Sequence, residues 1–197
     1  MTRSRLLPSK GATVRKRMVG VLLVGLVVAG CGSSGGSPEV GGPPPQPAPK
    51  PPESARKGPV KATDIPDKCG IISQQQQQQI GFTKPPRERT SNGKPGCQYQ
   101  AGELGHPGWG AFVAVSNQSS FDKQVKMYGS NAKKIEVAGY PAIEIRDKTG
   151  CIVDTDVADD GFSIANLRET SMTNSGLDLC QQAQKVTESA LQNVPNA

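Results

Sequence analysis

Five cysteines carry the most specific chemistry in this 197-residue chain. One of them, Cys31, closes the run Val28-Ala29-Gly30-Cys31 after twelve uncharged, mostly aliphatic residues, Met18 to Ala29, and that run is led in by Arg15, Lys16 and Arg17. A basic start, a short apolar core and small residues at the exit are the anatomy of a secretory leader. A cysteine directly after Ala-Gly completes a lipobox, where the leader is cut and the thiol is acylated. At about 1.5 Å per helical residue the apolar run spans roughly 18 Å, short of a hydrocarbon core of roughly 30 Å, so it targets the chain and does not cross the membrane. Cys31 is thus the expected lipid-attachment residue and the first residue of the mature protein. Two or more acyl chains, at about 0.8 kcal/mol per buried methylene, would hold it stably on the extracytoplasmic face of the cell membrane.

Removing Cys31 leaves an even set, Cys69, Cys97, Cys151 and Cys180. On the oxidising side of a membrane such a set reads as disulfides. The spacings contain no C-x-x-C, and the single histidine, His106, has no cysteine near it in sequence, so no metal site is expected. Of the three possible pairings, Cys69–Cys97 with Cys151–Cys180 is favoured. Cys151 shares a strand face with Val153 and Val157, and Cys180 borders the apolar stripe of the last helix, so the two sulfurs meet where that helix crosses the sheet.

Other reactive groups form no recognisable constellation. Asp154, Asp156, Asp159 and Asp160 resemble a calcium loop, but counting from Asp154 the fifth position is Ala158, the sixth is Asp159 where glycine is needed, and the twelfth is Ala165 where glutamate is needed. A polar strand face running into a turn is the better reading. No G-x-S-x-G elbow or phosphate-cradling G-x-x-x-x-G-K occurs, and His106 on the glycine-rich segment AGELGHPGWG has no nameable partner. No catalytic residue, cofactor or enzyme activity is expected. Trp109, on the same segment, is the best candidate for a contact with a partner, with packing over the sheet edge as the default.

The formal charge of +6 does not mark a nucleic-acid binder. Six of the 23 basic side chains (Arg3, Arg5, Lys10, Arg15, Lys16, Arg17) lie in the leader, which leaves 17 basic against 17 acidic residues in the mature chain. A neutral chain carries no overall footprint for a phosphate backbone.

The elements that must position these groups divide the chain into a leader (1–30), a tether (31–62) and one globular domain (63–197). The tether runs through GSSGGS into GGPPPQPAPKPP and has almost nothing to fill a core. Because only part of it is polyproline, at about 3.1 Å per residue, thirty residues of this mixed chain reach somewhat under roughly 90 Å. In the domain, Ser73 caps a short helix through the glutamine run to Ile80, with Gln76 at the capping-box position and Gly81 as the stop. Strands are expected at Cys97 to Gln100, Ala111 to Ser116, Lys134 to Val137, Tyr140 to Arg146, Cys151 to Val157 and Phe162 to Leu167. The last four form two hairpins, turning at Ala138-Gly139 and at Asp159-Asp160-Gly161, with glycines supplying positive backbone angles. Ala111 to Val115 is apolar on both faces and suits a central strand. A second helix, Ser119 to Tyr128, opens with a capping box of Ser119 and Asp122 and lays Phe121, Val125 and Tyr128 on the sheet. A final helix gathers Leu179, Cys180, Ala183, Val186, Thr187, Ala190, Leu191 and Val194 on one side. The expected fold is α+β, an antiparallel sheet of about five to six strands covered by helices and stapled by two disulfides.

The order of several short motifs adds a resemblance. Cys69-Gly70-Ile71-Ile72-Ser73 leading to Ile80-Gly81-Phe82, then Gly96-Cys97-Gln98-Tyr99, Val137-Ala138-Gly139-Tyr140-Pro141-Ala142 and Cys151-Ile152-Val153, behind a lipobox and tether, resemble an actinobacterial lipoprotein family of unknown function (domain of unknown function, family 3558). The resemblance covers about Asp64 to Pro195 and implies an envelope location without an established activity. In that family the first helix usually carries apolar residues, and here it carries six glutamines. The expectation is a non-catalytic, membrane-tethered binding or interaction module, whose partner is an unknown envelope protein. The alternative is a small carrier holding a lipid or other apolar ligand between sheet and helices.

Overall fold

The computed structural model describes residues 55–103, 106–170 and 175–197. The leader, Cys31 and the tether up to residue 54 lie outside the described residues. No helix of the described residues is long and apolar enough to cross a membrane.

The fold is built outward from β3 (Trp109–Ser116), whose eight residues are all buried and whose two edges are both paired. It pairs with β2 (Lys94–Ala101) on one side and β7 (Gly161–Glu169) on the other, in antiparallel register throughout. β6 (Gly150–Ala158), β5 (Tyr140–Arg146) and β4 (Lys133–Val137) extend the sheet one way, and β1 (Lys84–Ser91) closes the other edge. The order β1-β2-β3-β7-β6-β5-β4 makes a single seven-stranded antiparallel sheet. All six expected strands are present, and β1 is one more than the expected count. Its sequence, KPPRERTS, has no apolar alternation, because an edge strand open to water needs none. Prolines fit there, and the ladder breaks register between Lys84 and Arg87, around Pro85 and Pro86. The turn into β2 is Asn92-Gly93, both at positive φ (49° and 76°), which is the two-residue hairpin signature.

The β4–β5 hairpin turns as expected at Ala138-Gly139, with φ of 50° and 83°. The β6–β7 turn needs its glycine for a different reason. Gly161 is not at positive φ; a Cβ on it would lie 2.6 Å from the Ser116 carbonyl oxygen. Pro141 sits at the start of β5, an interior strand.

One face of the sheet packs on α3 (Leu179–Asn193), whose side chain cap is Asp178, accepting from the N–H groups of Cys180 and Gln181. Val113, Val153, Ala165 and Leu167 from the sheet and Ala183 and Val186 from α3 are all fully buried in this layer. The amphipathic stripe read from the sequence is the buried face of this helix. Both disulfides have formed on this side with the expected pairing, Cys69–Cys97 (sequence separation 28) and Cys151–Cys180 (separation 29). α1 (Gln74–Ile80) carries the full Ser73/Gln76 capping box and ends on Gly81 at φ 96°. It buries none of its own residues and docks on α3 through amides. Gln76 Nε2 donates to Ser189 O (3.2 Å) and Gln192 Oε1 (2.9 Å), and Gln182 Nε2 donates to Ile80 O (2.8 Å). The glutamines thus replace apolar docking with hydrogen bonding.

α2 (Phe121–Tyr128) lies over the opposite face. It begins one residue later than the sequence suggests: Ser120 is the N-cap and makes no side-chain cap bond, while Ser119 Oγ accepts from Gln124 Nε2 (3.0 Å). Its stripe is only half-buried.

The chain packs on this body upstream of residue 63. Lys57 N–H donates to Gly139 O (2.8 Å), the Tyr140 hydroxyl donates to Pro59 O (2.7 Å), and Lys61 pairs with Asn196. The Arg56 guanidinium bonds both Asp156 and Asp159. Residues 56–62 are therefore a strap on the domain, and the expected tether boundary moves upstream. Their apolar side chains, Pro59, Val60 and Ala62, form no periodic pattern and Val60 is exposed, so composition hides an attachment made by backbone and charge.

Candidate binding groove

α2 covers only part of its face, and the rest forms a groove across β1, β2, β3 and β7. Cross-strand partners share a face, so register defines its floor. Arg87, Gln98, Phe112 and Asn166 form one row, and Gln100, Gly110 and Arg168 form the next. The groove encloses about 450 Å³ and is also lined by Glu88, Arg89, Ser91 and Thr170. Gly110 belongs to this floor, where a Cβ would sit 3.0 Å from Gln98 Nε2, whereas Gly96 lies outside the lining and serves strand packing, since a Cβ there would come within 2.4 Å of Val113 O and 2.8 Å of the Phe112 ring. On this face β3 shows Gly110 and Phe112 while β7 shows Asn166 and Arg168, so polar groups reach the middle of the sheet.

The groove carries an excess of positive charge. Three guanidinium groups line it with one carboxylate, Glu88, and one of the three, Arg168, is ion-paired with Asp147 outside the lining. Arg87 makes no hydrogen bond or ion pair among the described residues. Arg89 Nη1 donates to Gln98 Oε1 (3.0 Å). Arg168 is held in place: its Nε donates to Asn166 Oδ1 (3.1 Å), and its Nη1 bonds Thr149 Oγ1 (3.1 Å) and the Asp147 carboxylate. This side of the sheet thus offers a fixed guanidinium on β7, two looser ones on β1 and a row of amides between. The lining contains no histidine, cysteine or lysine, and no nucleophile paired with a base.

Behind α2 the same face holds a buried anomaly. Asp154 is fully buried in the row Ala114, Ile164, Asp154, Ile143, and neither carboxylate oxygen makes a hydrogen bond. Burial pushes its pKa up to about 7, with Lys94 pulling the other way. Tyr128 of α2 is raised by burial and by Asp154. Of the acidic run, Asp154 therefore points inward and Asp156 and Asp159 are consumed by Arg56, so the calcium-loop reading has no geometry here. A second potential ligand cluster, Glu144 with Cys151 and Cys180, has its atoms within 4.8 Å of one another, but the two sulfurs are bonded to each other.

Trp109 is not the exposed contact residue its glycine-rich setting suggested. It opens β3, is 4% exposed, and packs its ring 5.0 Å from that of Phe82. The surrounding glycines gave the appearance of a loop, whereas β3 begins two residues earlier than its apolar run. His106 is exposed on the segment before it. The groove residues themselves were missed because β1 was not read as a strand; Ser91-Asn92-Gly93-Lys94 was the available signal for its hairpin.

No curated protein and no solved structure matches this chain. A family model does match, over residues 26–193, nearly the whole of the chain with its body of sheet, helices and both disulfides, and the chain belongs to that family, described as a protein of unknown function (DUF3558).

Proposed function

We propose that the protein is an envelope lipoprotein, anchored through acylated Cys31 on the extracytoplasmic face, that acts as a non-catalytic binding module with the β1–β2–β3–β7 groove as its ligand site. The groove is the observation that carries this reading: a cleft of about 450 Å³, within the usual range for ligand sites, lined by convergent polar groups on rigid strands and lacking a catalytic pair. The leader, lipobox and tether support the location, and two disulfides suit an oxidising compartment. The carrier alternative gains less support, since the layer between α3 and the sheet is filled by fully buried side chains and the described clefts open at the surface.

The test places a photo-reactive residue at Gln98, in the groove, or at Lys185, on the exposed side of α3, in cells fed a palmitate analogue. Crosslinked product at position 98 and not at 185, with label lost in Cys31→Ala, is expected. Equal capture at both positions refutes the groove as the site, and unchanged labelling in Cys31→Ala refutes the anchor.

A further inference from the structure

Resting on the groove as ligand site, we infer that its ligand is an acidic glycan, a chain of hydroxyl-rich sugars bearing carboxylates. Shape and charge set the class together. Arg87 on β1 and Asn166 on β7 stand three strand spacings apart, roughly 14 Å at about 4.8 Å per spacing, with Arg168 one row beyond. A single small anion cannot touch both walls, whereas an extended polyanion can. Planar guanidinium groups match carboxylates in two-pronged fashion. Between them Gln98 accepts from Arg89 and donates to Tyr99 O, and Asn166 accepts from Arg168, which leaves the Asn166 amide donors and the whole Gln100 amide to meet hydroxyl groups that both donate and accept.

The same features argue against an acidic peptide. Only Phe112 supplies an apolar surface, and it is 6% exposed, so side-chain pockets are lacking. Strand addition along β1 would meet Pro85 and Pro86, which have no N–H to give. Edge protection explains charges on β1, but it does not call for the amides of Gln98 and Gln100 on β2 or of Asn166 on β7.

The experiment titrates the full chain in neutral detergent, disulfides intact, with a short oligogalacturonate, its methyl ester, an oligoglutamate and inorganic phosphate, reading heat and amide shifts. The oligogalacturonate should bind in a salt-sensitive way, at least about tenfold more tightly than its neutral ester. Arg87→Gln with Arg89→Gln, both exposed and so without consequence for folding, should weaken it by about tenfold or more while the urea midpoint stays put. Equal binding of the ester, equal or tighter binding of oligoglutamate, or saturation by phosphate alone would each overturn the inference. Silence of all four probes together with groove-specific crosslinking in cells would overturn the ligand class and leave the binding role standing; loss of the crosslink would remove the role itself.

Discussion

Replacing Asp154 with Asn should change how the stability of this protein depends on pH. In the folded chain the carboxyl keeps its proton up to about pH 7, because it is buried between Ile143 and Ile164 with no hydrogen-bond partner, whereas its ordinary value is 3.8. Between those values folding takes up a proton. The folded state therefore has its full advantage from this group below about pH 4 and loses it as pH rises through 7. At about 1.36 kcal/mol per tenfold, ionising or excluding that charge costs about 4 kcal/mol by pH 8, of which roughly a third has already accrued at pH 5. Asn keeps the shape, cannot ionise, and adds a pH-independent offset from its own unpaired amide. The difference in unfolding free energy between Asp154→Asn and the parent should thus grow by about 3 kcal/mol in favour of the variant from pH 5 to pH 8. Urea unfolding of both chains at several pH values, with disulfides kept oxidised, reads this directly. Parallel curves would show that Asp154 is ionised or solvated in the native state, and the account of α2 as its cover would fall with it.

Two further perturbations probe the scaffold. Converting Cys151 and Cys180 together to Ser opens a loop of sequence separation 29. It should lower the unfolding free energy by about 3 to 4 kcal/mol on the chain-entropy model, and a loss below about 1 kcal/mol in urea would contradict that pairing's role. Ala138 sits at φ 50° in the β4–β5 turn, where an L residue with a Cβ is strained. Ala138→Asn should raise stability by about 0.5 to 1 kcal/mol in thermal unfolding, and a lowered midpoint would refute the left-handed turn.

The parts of this fold that were readable in sequence are those where burial imposes a period. The stripe Leu179 to Val194, the two-faced apolar run of β3 and the paired hairpins after Lys133 all bury one side or both, so their patterns are written in apolar residues. Capping was readable for α1, where Ser73 and Gln76 satisfy each other, and misplaced by one residue at α2, where two serines compete for one cap position. β1 was opaque because it is an open edge, and residues 56–62 were opaque because their attachment uses carbonyls, amides and charges. Asp154 could not have been singled out from its run of acids, since only the register of β6 turns it inward. The groove shares that character: Arg87, Gln98 and Asn166 are distant in sequence and ordinary one by one, and only the strand order places them in one row.

Net charge hides such arrangements for a physical reason. The balance of 17 basic and 17 acidic residues after residue 30 bounds the field far from the molecule, where screening reduces it within about 10 Å in any case. At contact distance the field depends on where charges sit, and this fold sorts them. Asp156 and Asp159 gather at the β6–β7 turn and are met there by Arg56 of the strap, which uses up acid at that end of the sheet. Lys57 and Glu136 pair beside the β4–β5 turn. Among the described residues Arg87, with no acid of its own, stands on the far edge strand, and Arg89 beside it is engaged only by a neutral amide. A ligand that needs positive charge therefore meets it toward the β1 edge of the sheet, while the strap is held at the β4–β5 and β6–β7 turns, so the strap leaves that edge open.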